Sequence, residues 1–198
     1  MTQRKRVLIV HGWTNRRWPG HWQRRTATAL RNAGHVVGYP QLPDTDTPSL
    51  GAWLDVVEVE LGLLREVAGG EVVVIAHSLG CLTWLHAAAA VRVSEVDRVL
   101  LVAPADPELC GDAPTFQLDL ANPGLARALA MVAGDTRIVA SDSDPWIPRG
   151  AQATFADPLG LDLTIVSGAQ HFAMEDGWGP WQGVIDWVLD PAADLSVR

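Results

Sequence analysis

"VVVIAHSLGCLTWLHAA", residues 72–88, runs an apolar, valine-rich stretch into a serine corner and out into a second apolar stretch. The first part reads as a buried strand and the second as a helix. Between them, A-H-S-L-G (76–80) fits the nucleophile-elbow pattern, with Ala76 in place of the usual first glycine. Such a corner is strained. It accepts only small residues two before and two after the serine, because larger side chains would strike the adjoining strand or helix. Alanine is the smallest departure from glycine. The pattern predicts the Ser78 hydroxyl at the top of a sheet, above the positive N-terminus of the next helix. A serine that merely caps that helix is the plainer alternative.

Outward from this corner, strand and helix patterns alternate. Residues 6–10 and 96–104 are buried-strand runs, with shorter ones at 35–40, 136–141 and 161–168. Residues 21–34 read as a helix closed by Gly34. A second helix is expected to start with Thr47 as N-cap and Pro48 at its first position, and Leu50, Trp53, Leu54, Val57, Leu61 and Leu64 keep its period. Further helices are expected at 79–91, 123–132, after Pro148, and at 179–190, with a frayed tail after residue 190. Six apolar strands alternating with helices imply an α/β fold: a parallel sheet covered on both faces, in a single domain over 1–198. Ligands of such sheets bind beyond the carboxyl ends of the strands. His11, Ser78, Asp106, Asp142, Asp144 and His171 all fall there.

Composition narrows the partners. Fifteen Lys and Arg face 23 Asp and Glu, a net charge of −8, which argues against nucleic acid or an anionic membrane. Arg4, Lys5 and Arg6 read as a solvated strand entrance. Two cysteines, Cys81 and Cys110, are too few for a disulfide framework and lack metal-type spacing. The apolar run after the basic N-terminus stops at Val10, too short for a signal peptide, and no stretch approaches the roughly 18 apolar residues of a membrane span. A soluble, cytoplasmic protein is expected.

A serine hydroxyl needs a base, and the base needs an orienting acid. In this architecture they follow in the order Ser, acid, His, each after a strand. "VASDSDPWIP" offers Asp144, with Asp142 as runner-up or turn cap; "SGAQHFAMEDG" supplies His171. His11 suits an oxyanion-hole loop, His77 the orientation of the elbow, and His21 packing beside Trp22. His35 and His86 read as structural. Cys81, three residues past Ser78, reads as packing. The oxyanion donors are expected to be the backbone amides of Leu79 and Trp13. No phosphate loop, dinucleotide fingerprint or metal-ligand cluster is present in the pattern, so no cofactor and no metal are expected.

"VLIVHGW…HW", "AHSLGC", "VAPADPE", "ASDSDPWIP" and "GAQHFAMEDGWGPW" together resemble the small serine hydrolases of the retinoblastoma-binding protein 9 and YdeN-like family, across roughly residues 6–190. The resemblance implies a minimal α/β-hydrolase fold without a large lid, and a triad at Ser78, Asp144 and His171. Gln170-His171 and Trp181-Gln182-Gly183 depart from the family's Gly-His and Trp-Pro-Glu-Gly, so substrate preference does not carry over. The expected function is hydrolysis of a small-molecule carboxylic ester. Amidase or acyltransferase chemistry, or a binding module with a vestigial site, are the rivals. Of nine tryptophans, Trp53, Trp84 and Trp187 read as core, whereas Trp13, Trp18, Trp22, Trp146, Trp178 and Trp181 lie near strand ends. Trp13, Trp146 and Trp178 are expected to line a substrate pocket; plugging of a lidless domain is the alternative.

Overall fold

The strands are β1 (Arg6–Val10), β2 (Val36–Gly38), β3 (Val72–His77), β4 (Val96–Val102), β5 (Ala133–Ala140) and β6 (Asp162–Ile165). In the computed structural model, which describes residues 3–198, they form one fully parallel sheet in the order β2-β1-β3-β4-β5-β6. Met1 and Thr2, which begin the basic N-terminal run, lie outside the described residues. The helices are α1 (Trp22–Asn32), α2 (Leu50–Glu66), α3 (Leu79–Ala89), α4 (Pro123–Val132), α5 (Asp157–Leu159) and α6 (Gln182–Leu189). A π-helical turn over Gln152–Ala156 leads into α5. Among the described residues no large lid covers the sheet's carboxyl edge, and no helix is long and apolar enough to cross a membrane.

Alternation along β3 divides the core. Val72, Val74 and Ala76 pack with residues of α2, α3 and α4 on one face; Val73 and Ile75 pack with α1 and α6 on the other. Every residue of β3 is buried, as a central parallel strand requires. Helix α3 is apolar on nearly all sides because it is wedged between α2 and α4. Buried Arg98 of β4 donates to the carbonyls of Trp187 and Val188 at the end of α6, and to Glu71. That fixes α6 against the sheet.

From β1 the chain steps outward to β2, then returns to the other side of β1 to form β3. The connections therefore diverge from the carboxyl ends of β1 and β3, the place where such sheets open a crevice. Register sets Val10 opposite Ala76, and His77 opposite Val102.

Element ends depart from expectation in two places. Helix α2 starts at Leu50 with Ser49 as its N-cap, not at Pro48 after Thr47. The Thr47 amide closes a turn onto the Asp44 carbonyl instead, and Asp44 has φ 45°. The tail is docked rather than frayed: the Gly183 amide donates to Val197, and the Trp181 indole to Leu195. The end of α1 follows its sequence signal. Gly34 adopts φ 89°, its amide bonds Arg31, and the His35 amide bonds Leu30, the Schellman pattern.

Candidate active site

Ser78 sits at the β3–α3 corner with φ 55° and ψ −125°, a conformation that costs a non-glycine residue of order 1–3 kcal/mol. Its surroundings enforce it. The Ser78 amide donates to Val102 and its carbonyl accepts from Cys81. A Cβ at Gly80 would stand 2.6 Å from the His11 carbonyl oxygen and 2.8 Å from that of Val10. Only glycine lets α3 start this close to β1. A Cβ at Gly12 would reach within 2.7 Å of the Ser78 Cβ, so the loop after β1 lies directly against the serine. Cys81 is packed, as expected: burial raises its thiol pKa despite the helix N-terminus, and Sγ donates to the carbonyls of Ala76 and Val102.

The structure brings Asp144 and His171 to this serine. His171 Nε2 lies 2.8 Å from Ser78 Oγ, and Nδ1 lies 2.8 Å from Asp144 Oδ2. A carboxylate only accepts, so Nδ1 carries a hydrogen and, in the neutral ring, Nε2 is left to accept from the serine hydroxyl. The Asp144 side chain is fully buried, and its other oxygen accepts from the Trp146 amide. Asp142 is not in this chain of bonds. It accepts from Ser167 Oγ and the Gly168 amide, tying the loop after β5 to the loop after β6.

The His171 loop is held on several sides. Gln170 and Phe172 both have positive φ, 51° and 55°. One Asp176 oxygen accepts from the amides of His171 and Ala173, each at 3.0 Å. Asp176 was not singled out by sequence reasoning, since an acid five residues past a histidine carries no periodic signal. Trp22 Nε1 donates to the Phe172 carbonyl. The His77 ring is buried beneath the loop and donates from Nε2 to the His171 carbonyl. Its position serves the loop rather than the elbow alone.

The β1 loop is locked by His11. The Leu42 amide donates to His11 Nε2, so Nδ1 carries the hydrogen and donates to the Gly12 carbonyl. Burial lowers the His11 pKa to about 4, which keeps it neutral and unsuited to act as a base. The Trp13 amide in this loop has no backbone partner among the described residues, and Leu79 opens α3, where helix amides lack intrahelical acceptors.

A cavity of about 460 Å³ opens over Ser78 and His171. Trp13, Trp18, Leu109, Trp146 and Met174 form much of its wall, and the last four are each at least 40% exposed, an apolar rim. Trp178 does not line it. Its ring is buried behind the His171 loop, 4.6 Å from Phe172 and 4.7 Å from Trp181 by ring centres, with the Arg198 guanidinium 4.2 Å away on its ring. The six loop tryptophans thus divide: Trp13, Trp18 and Trp146 face the cavity, while Trp22, Trp178 and Trp181 back the loop. Asp106, Asp112 and Glu175 also border the cavity, and no Lys or Arg does. Close to this lining in the chain, Arg149 pairs with Asp106 and Glu108, Arg16 pairs with Asp46, and Arg17 donates to the Tyr39 carbonyl.

A family model described as serine hydrolase matches residues 7–189. The chain belongs to the serine hydrolase family. Like this serine hydrolase, the ydeN gene product of Bacillus subtilis has the same fold, at 20% identity, TM-score 0.77, covering 92% of this chain and 95% of that one. A structure described as a YdeN-like hydrolase from Pectobacterium atrosepticum matches at 22% identity and TM-score 0.70, covering 94% and 90%. Est1E from Butyrivibrio proteoclasticus matches at 17% identity and TM-score 0.66, covering 96% and 87%. No curated protein matches the chain significantly. For this serine hydrolase, the sequence likeness fixes the family and the structures fix the α/β-hydrolase fold.

Proposed function

We propose that this serine hydrolase is a carboxylesterase acting on small or medium, uncharged acyl esters. One observation carries the reading: the continuous hydrogen-bonded chain Asp144–His171–Ser78 at a strained corner that opens into an apolar-walled cavity. His171 removes the hydroxyl proton as Ser78 Oγ attacks the ester carbonyl. The carbonyl electrons move onto oxygen, and the amides of Leu79 and Trp13 hold that oxyanion. The intermediate collapses, the C–O bond to the alcohol breaks, and His171 delivers the proton to the departing oxygen. Water, deprotonated by the same ring, then cleaves the acyl-enzyme and restores Ser78. Asp144 keeps the ring oriented and balances the imidazolium charge. The chemistry needs no metal or cofactor.

Acidic Asp112 and Glu175 at the cavity, with no cation beside them, favour neutral substrates over anionic ones. The cavity and its acidic border support a small-molecule substrate over nucleic acid or an anionic membrane. Two free, buried cysteines suit a reducing compartment such as the cytoplasm. The test is labelling by a fluorophosphonate probe, read by intact mass, on wild type and Ser78→Ala, followed by an ester panel. One adduct on wild type and none on folded Ser78→Ala supports the reading. No adduct on folded wild type overturns it in favour of a binding module.

A further inference from the structure

We propose that His21 is a specificity residue of this site: its Nε2–H donates to a neutral oxygen in the alcohol part of the substrate, so esters of hydroxyl- or ether-bearing alcohols are preferred. The proposal rests on the esterase reading above.

The hydrogen on Nε2 follows from the fold. His21 is the N-cap of α1, and its Nδ1 accepts from the Gln23 amide at 3.2 Å. An amide N–H can only donate, so Nδ1 is bare and the neutral ring carries its hydrogen on Nε2. Burial pushes the His21 pKa down to about 4, so the ring stays neutral at ordinary pH. His21 is 5% exposed, it borders the cavity together with Ser78, and Nε2 has no hydrogen-bond partner among the described residues. A nearly buried donor is therefore available to whatever occupies the cavity.

Its place selects the part of the substrate. The leaving alcohol must stand against His171 to receive the proton. The His21 ring lies 5.8 Å from that of His77, which lies 5.2 Å from that of His171. Its chain neighbours meet the His171 loop, Gly20 against Met174 and Trp22 donating to the Phe172 carbonyl, so His21 borders that flank of the cavity. An apolar alcohol there would strip water from the Nε2–H and return nothing, whereas an ether or hydroxyl oxygen replaces the lost bond. A neutral donor in a cavity that Asp106, Asp112 and Glu175 also border offers no charge to hold a carboxylate or phosphate.

The probe pair is 2-methoxyethyl butanoate and n-butyl butanoate, nearly equal in size and differing by one oxygen. Each kcat/KM is normalised to that ester's hydroxide-catalysed rate. His21→Ser and His21→Thr retain an oxygen that caps α1. Wild type is expected to prefer the methoxyethyl ester about fivefold to tenfold, the range of one neutral hydrogen bond, and both variants to bring the ratio near one. A wild-type ratio of one, or a ratio that survives in folded variants, overturns the assignment of His21. Turnover of neither ester by a wild type that still takes one fluorophosphonate adduct overturns the esterase reading, and this proposal with it.

Discussion

His77 Nε2 donates its hydrogen to the main-chain carbonyl of His171 at 2.9 Å, so the residue next to the serine also holds the histidine that is bonded to it. His77→Phe removes this donor from a buried ring site. Misplacement of a reacting group by about 1 Å can cost roughly a hundredfold in rate. The expected outcome is a fall of that order in kcat with little change in KM, and slower fluorophosphonate labelling per folded molecule. His77→Gln, which keeps a donor, is expected to recover part of the rate. Equal labelling rates for wild type and His77→Phe would rule out this role.

Gly80→Ala sets a methyl group against the carbonyl oxygens of His11 and Val10, neither of which is a flexible side chain. The start of α3 must retreat from β1, carrying Ser78 away from the loop at Gly12. A stability loss of about 1–3 kcal/mol is expected, together with a lower kcat. Urea unfolding and ester kinetics on the same preparation check both.

The two classes of loop tryptophan predict opposite signatures. Trp146 is 48% exposed at the cavity, with its ring centre 6.2 Å from that of His171. Trp146→Ala is expected to raise KM for butanoate esters while leaving the urea midpoint nearly unchanged. Trp178 is buried among aromatic rings, and its replacement by Ala is expected to cost about 3–5 kcal/mol of stability. A Trp178→Ala protein as stable as wild type would contradict its placement behind the loop.

Stability should depend on acid through the buried histidines. Burial lowers the pKa of His11 and His21 from 6.5 to about 4, and that of His77 in the same direction. Between about pH 6.5 and 4 the unfolded chain binds protons that the folded protein refuses. Stability is therefore fully present above about pH 6.5 and declines as pH falls, by up to about 1.4 kcal/mol per pH unit for each histidine. Protonated His11 would also point an N–H at the Leu42 amide. Urea midpoints from pH 7.5 to 4.5 measure the slope, and His11→Gln is expected to make it shallower.

Ser78, Asp144 and His171 were legible because each follows an apolar run whose end marks the sheet's carboxyl edge. Local chemistry there is written in contiguous residues. Trp178 was not legible in the same way. Its position after a strand placed it near the site, but the side to which its ring turns depends on Phe172, Trp181 and Arg198, which sequence spacing does not bring together. The start of α2 misled for a related reason. Thr47-Pro48 is a sound helix opening in isolation, yet Thr47 closes the turn begun at Asp44 and the helix starts at Leu50 after Ser49. His21 was read correctly as a neighbour of Trp22, 5.7 Å between ring centres, but its border on the cavity comes only from the tertiary fold.

The docked tail gives the protein an unexpected point of vulnerability. Arg198 donates to the Gly177 carbonyl and lies on Trp178, while Val197 and Leu195 receive hydrogen bonds from Gly183 and Trp181. Those rings back the wall behind His171. Loss of residues 195–198 would thus erode turnover without touching any reacting group, by loosening the wall on which those rings rest.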